Sequence, residues 1–587
     1  MHFSGLDWAI MAAFFLISLG IGFAASRQAS TGFAAFFLGG RRMPWWLLGI
    51  SMVATTFSTD TPNLVADIVR SNGVVGNWVW WAFLLTGMLT VFFYARLWRR
   101  SEVLTDIEFY ELRYSGKPAA FLRGFRAVYL GVFFNLMIMA GVALAAIKIG
   151  GVMMGWSAAQ TLLIAAAVTL VYSVAGGLTG VLLTDLFQFA LAMIGSIWAT
   201  ITIVNLPEVG GLSTLLAHPN VAPKLAFLPD LGAMTWKELI PIFIVPLAVQ
   251  WWSAYYPGSE PGGGGYIAQR MLSAKNEKHA TGAVLLFNTL HYALRPWPWI
   301  LVALASLVVF PDVASIGERF PAVAASKLGN DLAYPAMLTY LPAGLLGLVV
   351  TSLAAAFMST MSTQVNWGSS IIVNDLYVRF FNPTASERRQ VWVGRLATVG
   401  LMVAACGLAL AFENALGVFT LMLQVGAGTG LLLLLRWFWW RVNAAAEIAG
   451  MVVSFLVAVA FSVGDGFGLE SWAQLTVGVG VTTVAWIVTM LMTPPTDPAV
   501  LRSFYEKIRP VGPGWRPVAG DAPVATAGDA TASLLSFLLA VVGVYSVLFA
   551  TGNLLYGSMA VGLGFAAAAA ACAIGVARLW PSLQYDE

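Results

Sequence analysis

Residues 341–377, LPAGLLGLVVTSLAAAFMSTMSTQVNWGSSIIVNDLY, decide how this chain is read. The stretch is apolar and long enough to cross a bilayer as a helix, for which about 20 residues suffice. Its middle nevertheless carries Ser359, Thr360, Ser362 and Thr363 among small residues, an unusual density of hydroxyls for a membrane span. Oxygen donors at mid-membrane depth, on a helix uncharged for most of its length, suit a weakly held hard cation such as sodium better than a soft transition metal. Ala356, Ser359 and Thr360 stand at i, i+3 and i+4, so one carbonyl and two hydroxyls share a helix face. Small hydroxyl residues also let membrane helices pack closely, and on this stretch alone both readings stay open.

Composition agrees with a membrane setting. Of 587 residues 59% are hydrophobic and only 10% charged, with a mean hydropathy of +0.80. That apolar surface far exceeds what one water-soluble core buries, so the chain reads as an all-α polytopic membrane protein whose obligatory partner is the lipid bilayer. The net charge of +3 is small, and no nucleic-acid partner is expected. Cys406 and Cys572 both lie in apolar runs, which argues against a disulfide framework or a structural zinc site. His2, His218, His279 and His291 are scattered without metal-ligand or triad spacing, so an enzyme is not expected. The opening MHFSGLDW lacks the basic stretch of a secretory signal, and the apolar run after it reads as a retained first span.

Windows of membrane length give about fifteen spans. They cover 6–26, 44–70, 74–98, 120–150, 157–175, 180–205, 236–270, 281–310, 341–378, 390–411, 414–438, 444–464, 470–493, 531–551 and 556–580. Short cytoplasmic loops retain Lys and Arg, which orients the stack. Arg27, Arg41 and Arg42 follow the first span, and Arg96, Arg99, Arg100, Arg113, Lys117, Arg123 and Arg126 follow the third. Alternation then brings Arg270, Lys275 and Lys278, the group from Arg379 to Arg395, Arg436 and Arg441, and the group from Arg502 to Arg516 to the same side. The expected arrangement is multi-pass in a cell membrane, bacterial inner membrane by this reading, with the amino terminus outside and the carboxyl terminus inside. The connections are too short for a separate soluble domain. Residues 494–530, rich in Pro and Gly, read as a cytoplasmic linker ahead of two further spans within 531–587.

A charge at the membrane centre costs roughly 2.5 to 3.5 kcal/mol on insertion scales, so each one needs a reason. The second span contains GISMVATTFSTDTPNLVADIV, where Thr55, Thr56, Ser58, Thr59, Thr61 and Pro62 should break the helix and free backbone carbonyls. Asp60 sits beside that break, placed to meet an ion, an amine or a hydroxyl; the alternative is that the hydroxyls bond back to their own helix and Asp60 faces an outer vestibule. The span from 236, IPIFIVPLAVQWWSAYYPGSEPGGGGYIAQR, is interrupted by Pro246, Pro257, Pro261 and a run of glycines, and cannot be one regular helix. Paired interruptions in two halves of a chain point to a transporter binding site between inverted repeats, although a helix ending near Tyr256 before a flexible loop fits this second stretch as well. Asp185, in GGLTGVLLTDLFQ, is placed either to guide a cation inward or to pair with a buried arginine. Arg295 lies somewhat past mid-depth, as a carboxylate clamp or as a partner for Asp60. Trp251, Trp252, Tyr255, Tyr256 and Gln424 offer stacking and hydrogen-bonding surface for a polar solute, or, for the aromatics, interfacial anchors.

Four stretches, FFLGGRRMPWWLLGISMVATTFS, YSVAGGLTGVLLTDLFQ, YIAQRMLSAKN and AAAFMSTMSTQVNWGSSIIVNDLY, together resemble the sodium:solute symporter family, and RWFWWRVNAAAEI extends the likeness to about residue 448. The resemblance implies two inverted five-helix repeats of the leucine-transporter type, each with a broken first helix, over about 44–205 and 236–440. Residues 1–43 would precede them and two additional spans, 441–493, would follow. It also implies a co-transported sodium ion held by Ala54, Phe57, Ala356, Ser359 and Thr360, with Asp185 on its inward path. The solute, a sugar, amino acid or carboxylate, would lie near Ser58, Asp60, Trp252, Tyr255, Arg295 and Gln424. The family's sugar carriers have an Asn and a Gln where this chain has Thr56 and Thr61, so their sugar-binding pattern is not reproduced. The expected function is sodium-coupled import of a small polar organic solute by alternating access; the alternative is a solute sensor of the same fold.

Overall fold

The computed structural model describes residues 3–583 apart from 30–31, 233, 255–259, 322, 324, 413–414 and 521–526. Among these the fold is all-helical, and its one isolated β-bridge joins Met43 to Ala274. Eleven helices among the described residues are long and apolar enough to cross a bilayer, or up to twelve if the bent pair Phe419–Val425 and Gly430–Phe438 is one span. The expectation of about fifteen differs because it counts interrupted spans whole. The second span is two pieces, Trp45–Thr56 and Asp60–Asn72. The span from 236 is likewise divided into short helices ending at Ser253 and a separate helix, Gly265–Ser273. Ala158–Val204 runs through two expected spans and is bent at Gly177 (φ 54°, ψ −165°).

The hydroxyl-rich stretch forms the helix Leu345–Ile371, buried along almost its whole length. It packs against Ala158–Val204, Gly5–Ala29, Glu387–Ala409, Asn135–Ile149 and Trp45–Thr56. Its start is fixed by Asp7, whose Oδ1 accepts from the backbone N–H groups of Gly344 and Gly347, both at 2.7 Å. A carboxylate there satisfies N–H groups that have no partner within the helix and meets the positive end of its dipole.

Basic residues of successive connections gather at the other end of the bundle. Arg41 donates to the carbonyls of Glu102 and Val103, Arg99 to that of Ala274, and Arg113 to those of Arg436 and Trp439. Arg100 pairs with Glu277 at 2.8 Å. We call this the basic face; Asp7 lies at the opposite one. The Pro/Gly-rich stretch read as a linker contributes the helix Pro498–Ile508, with Leu501, Phe504, Tyr505 and Ile508 buried. Trp515 is fully buried, stacks on Phe504, donates to the carbonyl of Trp437 at 2.8 Å and receives the Arg113 guanidinium over its ring. Residues 498–519 are therefore a strap docked on the basic face. The last two helices, Ala527–Leu555 and Met559–Leu579, pack on each other as a hairpin.

Candidate functional site

The break in the second span follows from its residues. Thr56 turns its hydroxyl back to the carbonyls of Met52 and Val53, at 3.0 and 2.9 Å, and so competes with continuation of the helix. Phe57 then leaves helical geometry (φ −85°, ψ 81°) and the helix resumes at Asp60. Thr61 donates to the carbonyl of Thr56 across the gap at 3.1 Å. The other hydroxyls of the stretch do not simply return to their own helix. Thr55 meets Thr363 at 3.1 Å, Thr59 donates to the carbonyl of Val142 at 3.1 Å, and Ser58 donates to the Asp60 carboxylate.

The second break has a different cause. The helix stops at Ala254, and the chain crosses to Gly265 through Gly262 and Gly263, both at positive φ. A Cβ on Gly263 would stand 2.7 Å from Met271 and 2.9 Å from Thr90, so the crossing needs glycine for room as well as for conformation. Trp98 donates to the carbonyl of Gly262 and Asp106 accepts from the N–H of Gly265, at 2.8 and 3.0 Å. The far end of the crossing is thereby held at Gly262 and Gly265, where the second helix piece begins.

The hydroxyl-rich helix passes against the first break. Thr360 donates to the carbonyl of Thr55 at 2.7 Å and to that of Ala356 at 3.2 Å. Ala54 and Phe57 are buried in the same turn, with the Phe57 N–H directed to the carbonyls of Val53 and Ala54. The adjacent Ser359 donates to Asp185 Oδ1 at 2.6 Å, and Ser51, one turn before Ala54, donates to Oδ2 at 2.5 Å. Arg270 lies beyond, 3.8 Å from Asp185, donating to Ser51 at 3.2 Å and Thr363 at 2.8 Å. Asp185 thus touches an expected ion ligand and also faces a buried arginine. By contrast, Thr351, Ser352, Ser362 and Ser369 bond to carbonyls of their own helix. Density of hydroxyls alone therefore overstates the functional set. The expected ion ligands are neutral oxygens with the Asp60 and Asp185 carboxylates nearby, and the described residues hold no His, Cys, Asp and Glu cluster of metal-ligating size.

A cavity opens beside the break, bordered on its polar side by Thr56, Ser58, Asp60, Thr61, Thr360 and Gln364. Tyr266, Phe419 and Met422 supply part of the remaining wall. Ser58 and Asp60 are the expected solute residues that line it. Tyr255 lies outside the described residues. The expectation of direct contact is revised for three others. Arg295 is fully buried behind the break, donating to Thr56 at 2.9 Å and to the carbonyl of Val53 at 3.2 Å, with its guanidinium over Trp299. Gln424 points to Gln474 at 2.9 Å, and the Trp252 indole returns to the carbonyl of Ala248 at 2.8 Å. Each has found a nearer partner. Sequence reasoning missed Gln364, whose buried side-chain oxygen has no hydrogen-bond partner among the described residues. Its signal was present, an amide one turn beyond Thr360 on the same helix face.

A membrane bundle with two interrupted helices and a polar cavity at the first break, to which the second interrupted span adds Tyr266, has the architecture of a secondary transporter of the leucine-transporter type. The sodium:solute symporter family matches residues 36–454, and the chain belongs to that family. It is a sodium-coupled symporter rather than an enzyme, and sodium is the co-transported ion. The chain is 27% identical over 481 residues to a sodium/glucose cotransporter of Vibrio parahaemolyticus, covering 78% of this chain and 85% of the relative. It is 28% identical over 483 residues to a sodium/myo-inositol cotransporter of Bos taurus, covering 77% and 66%. Among solved structures it is similar to a Na+-coupled sialic acid symporter, with a TM-score of 0.69 at 20% identity, over 84% of this chain and 99% of that one. That likeness supports the fold.

Proposed function

We propose that the chain imports a hydroxyl-rich neutral solute of the sugar or polyol class, bound between the two breaks against Ser58, Asp60, Thr61 and Gln364. The observation that carries this reading is the makeup of the cavity's polar wall, which offers a carboxylate, hydroxyls and an amide, while Arg295 is engaged elsewhere. Carboxylate and amide oxygens accept from solute hydroxyls, whereas a carboxylate-bearing solute would need a cation, and the lining holds none among the described residues. The cotransporters of glucose and myo-inositol among its relatives agree with such a solute.

In this reading sodium binds where Ala54, Phe57, Ala356, Ser359 and Thr360 meet. It bridges the first broken helix to the hydroxyl-rich helix and so favours the conformer that presents the solute site. Asp185 takes the released ion toward the basic face, which is the cytoplasmic side by its Lys and Arg content. One sodium moving through ~100 mV gains about 2.3 kcal/mol, and a roughly tenfold gradient adds about 1.4 kcal/mol. Together these support accumulation of a neutral solute by roughly several hundredfold.

The test is thermal stability of the purified protein in sodium chloride and in choline chloride, each with a panel of sugars, polyols, amino acids and carboxylates. Stabilisation by a sugar or polyol only in sodium is the expected result. Stabilisation by a carboxylate alone would overturn the solute class.

A further inference from the structure

Two adjoining cavities on the outside of the helix Glu277–Thr289 share Leu285, Thr289 and Trp580 and form one groove. At the basic face its walls are Trp45, Lys278 and His279. Farther in it runs between that helix and the C-terminal hairpin, over Leu539, Val544 and Ala573. Lys275, Lys278 and Arg42 are exposed at the basic end, while the nearby carboxylate of Glu277 is held by Arg100 at 2.8 Å. The hydroxyl of Thr289 donates to the carbonyl of Leu285 at 2.9 Å, so the deeper part presents hydrocarbon.

We propose that this groove binds one anionic phospholipid from the leaflet at the basic face, with its phosphate at Lys278 and an acyl chain along Leu285, Val544 and Ala573. Charge and length both select this occupant. The groove is cationic only where a headgroup would sit. From Lys278 to Thr289 is roughly 16 Å along the helix, close to the roughly 15 Å of one hydrocarbon leaflet and well short of the roughly 30 Å that a spanning partner helix would cover. The lipid would tie the hairpin to the helix Glu277–Thr289, which itself packs on the first half of the broken span: a Cβ on Gly49 would stand 2.8 Å from the carbonyl of Ala283. The inference concerns a surface remote from the solute cavity and is independent of the solute's identity.

The experiment uses the full chain purified in detergent and offered equal amounts of phosphatidylglycerol and phosphatidylcholine. Native mass spectrometry should show one retained phospholipid with phosphatidylglycerol favoured roughly fivefold, the scale of one lysine at an anionic surface. Phosphatidylglycerol carrying a photoreactive acyl chain should label peptides from residues 285–289 and 569–577 of the wild-type chain. Lys278→Gln should retain lipid but bring the preference to parity. Ala573→Phe, at an exposed position within the groove, should abolish retention of both lipids. Unchanged retention and preference in both variants would overturn the proposal, as would labelling elsewhere on the wild-type chain. Cross-linking of a second protein through Ala573 in place of lipid would do the same. The wild-type labelling pattern decides the matter even if Ala573→Phe fails to fold.

Discussion

Thr360 reaches two carbonyls, one on its own helix and one at the end of the first half of the broken span, and with the Thr55–Thr363 contact it joins the two elements beside the proposed ion. Replacing it by Ala should raise the half-saturating sodium concentration for uptake roughly tenfold, equivalent to about 1.4 kcal/mol, while expression stays near wild type. Sodium activation of uptake in proteoliposomes measures this, and an unchanged curve would remove Thr360 from the site. Asp185 also stands beside the buried Arg270. Asp185→Asn should cost about 3–5 kcal/mol of stability by leaving a buried guanidinium without its carboxylate. The double variant with Arg270→Gln should recover part of that loss in thermal denaturation. A single variant as stable as wild type would mean that Asp185 serves the ion alone. The hydroxyls were legible in the sequence; their partners were not, because a serine that bonds to its own helix and one that bonds across helices look the same in one dimension.

At the scale of elements, both breaks were visible in the sequence for different physical reasons. The first rests on hydroxyls and Pro62, and the second on glycines that let backbone and side chains approach closely. The bend at Gly177 was not anticipated, since the sequence reads there as a boundary between two spans. Its backbone conformation is one that side-chain-bearing residues avoid, and Gly177→Ala should destabilise the protein by about 1–3 kcal/mol. A lowered melting temperature with the family of helices still intact by circular dichroism would be the signature. Arg295 shows the opposite limit. Its depth in the membrane demands a reason, and the structure supplies one in the support of the break through Thr56 and Val53.

For the whole molecule, the strap of residues 498–519 closes the basic face over the ends of several helices. Trp515→Ala removes a fully buried indole and its bond to Trp437, and should cost about 3–5 kcal/mol. Thermal denaturation of the purified variant checks this; a change near zero would mean that the strap rides on the bundle without contributing to it. Composition suggested a linker here, because proline and glycine discourage long helices. It could not report that Leu501, Phe504 and Trp515 find a common apolar seat.

The sequence by itself determined the membrane setting, the helical class, the position of the first break and the oxygen-rich helix that passes it. These follow from local quantities: hydropathy over a span and the backbone demands of Pro, Ser and Thr. Only the tertiary structure decided which polar side chains share a cavity. It put Gln364 beside Asp60, turned Gln424 and Trp252 to nearer partners, and joined Asp185 to Ser359 and Arg270 in one chain of contacts. A buried polar group takes the best partner within reach, and what is within reach depends on how helices far apart in sequence are packed.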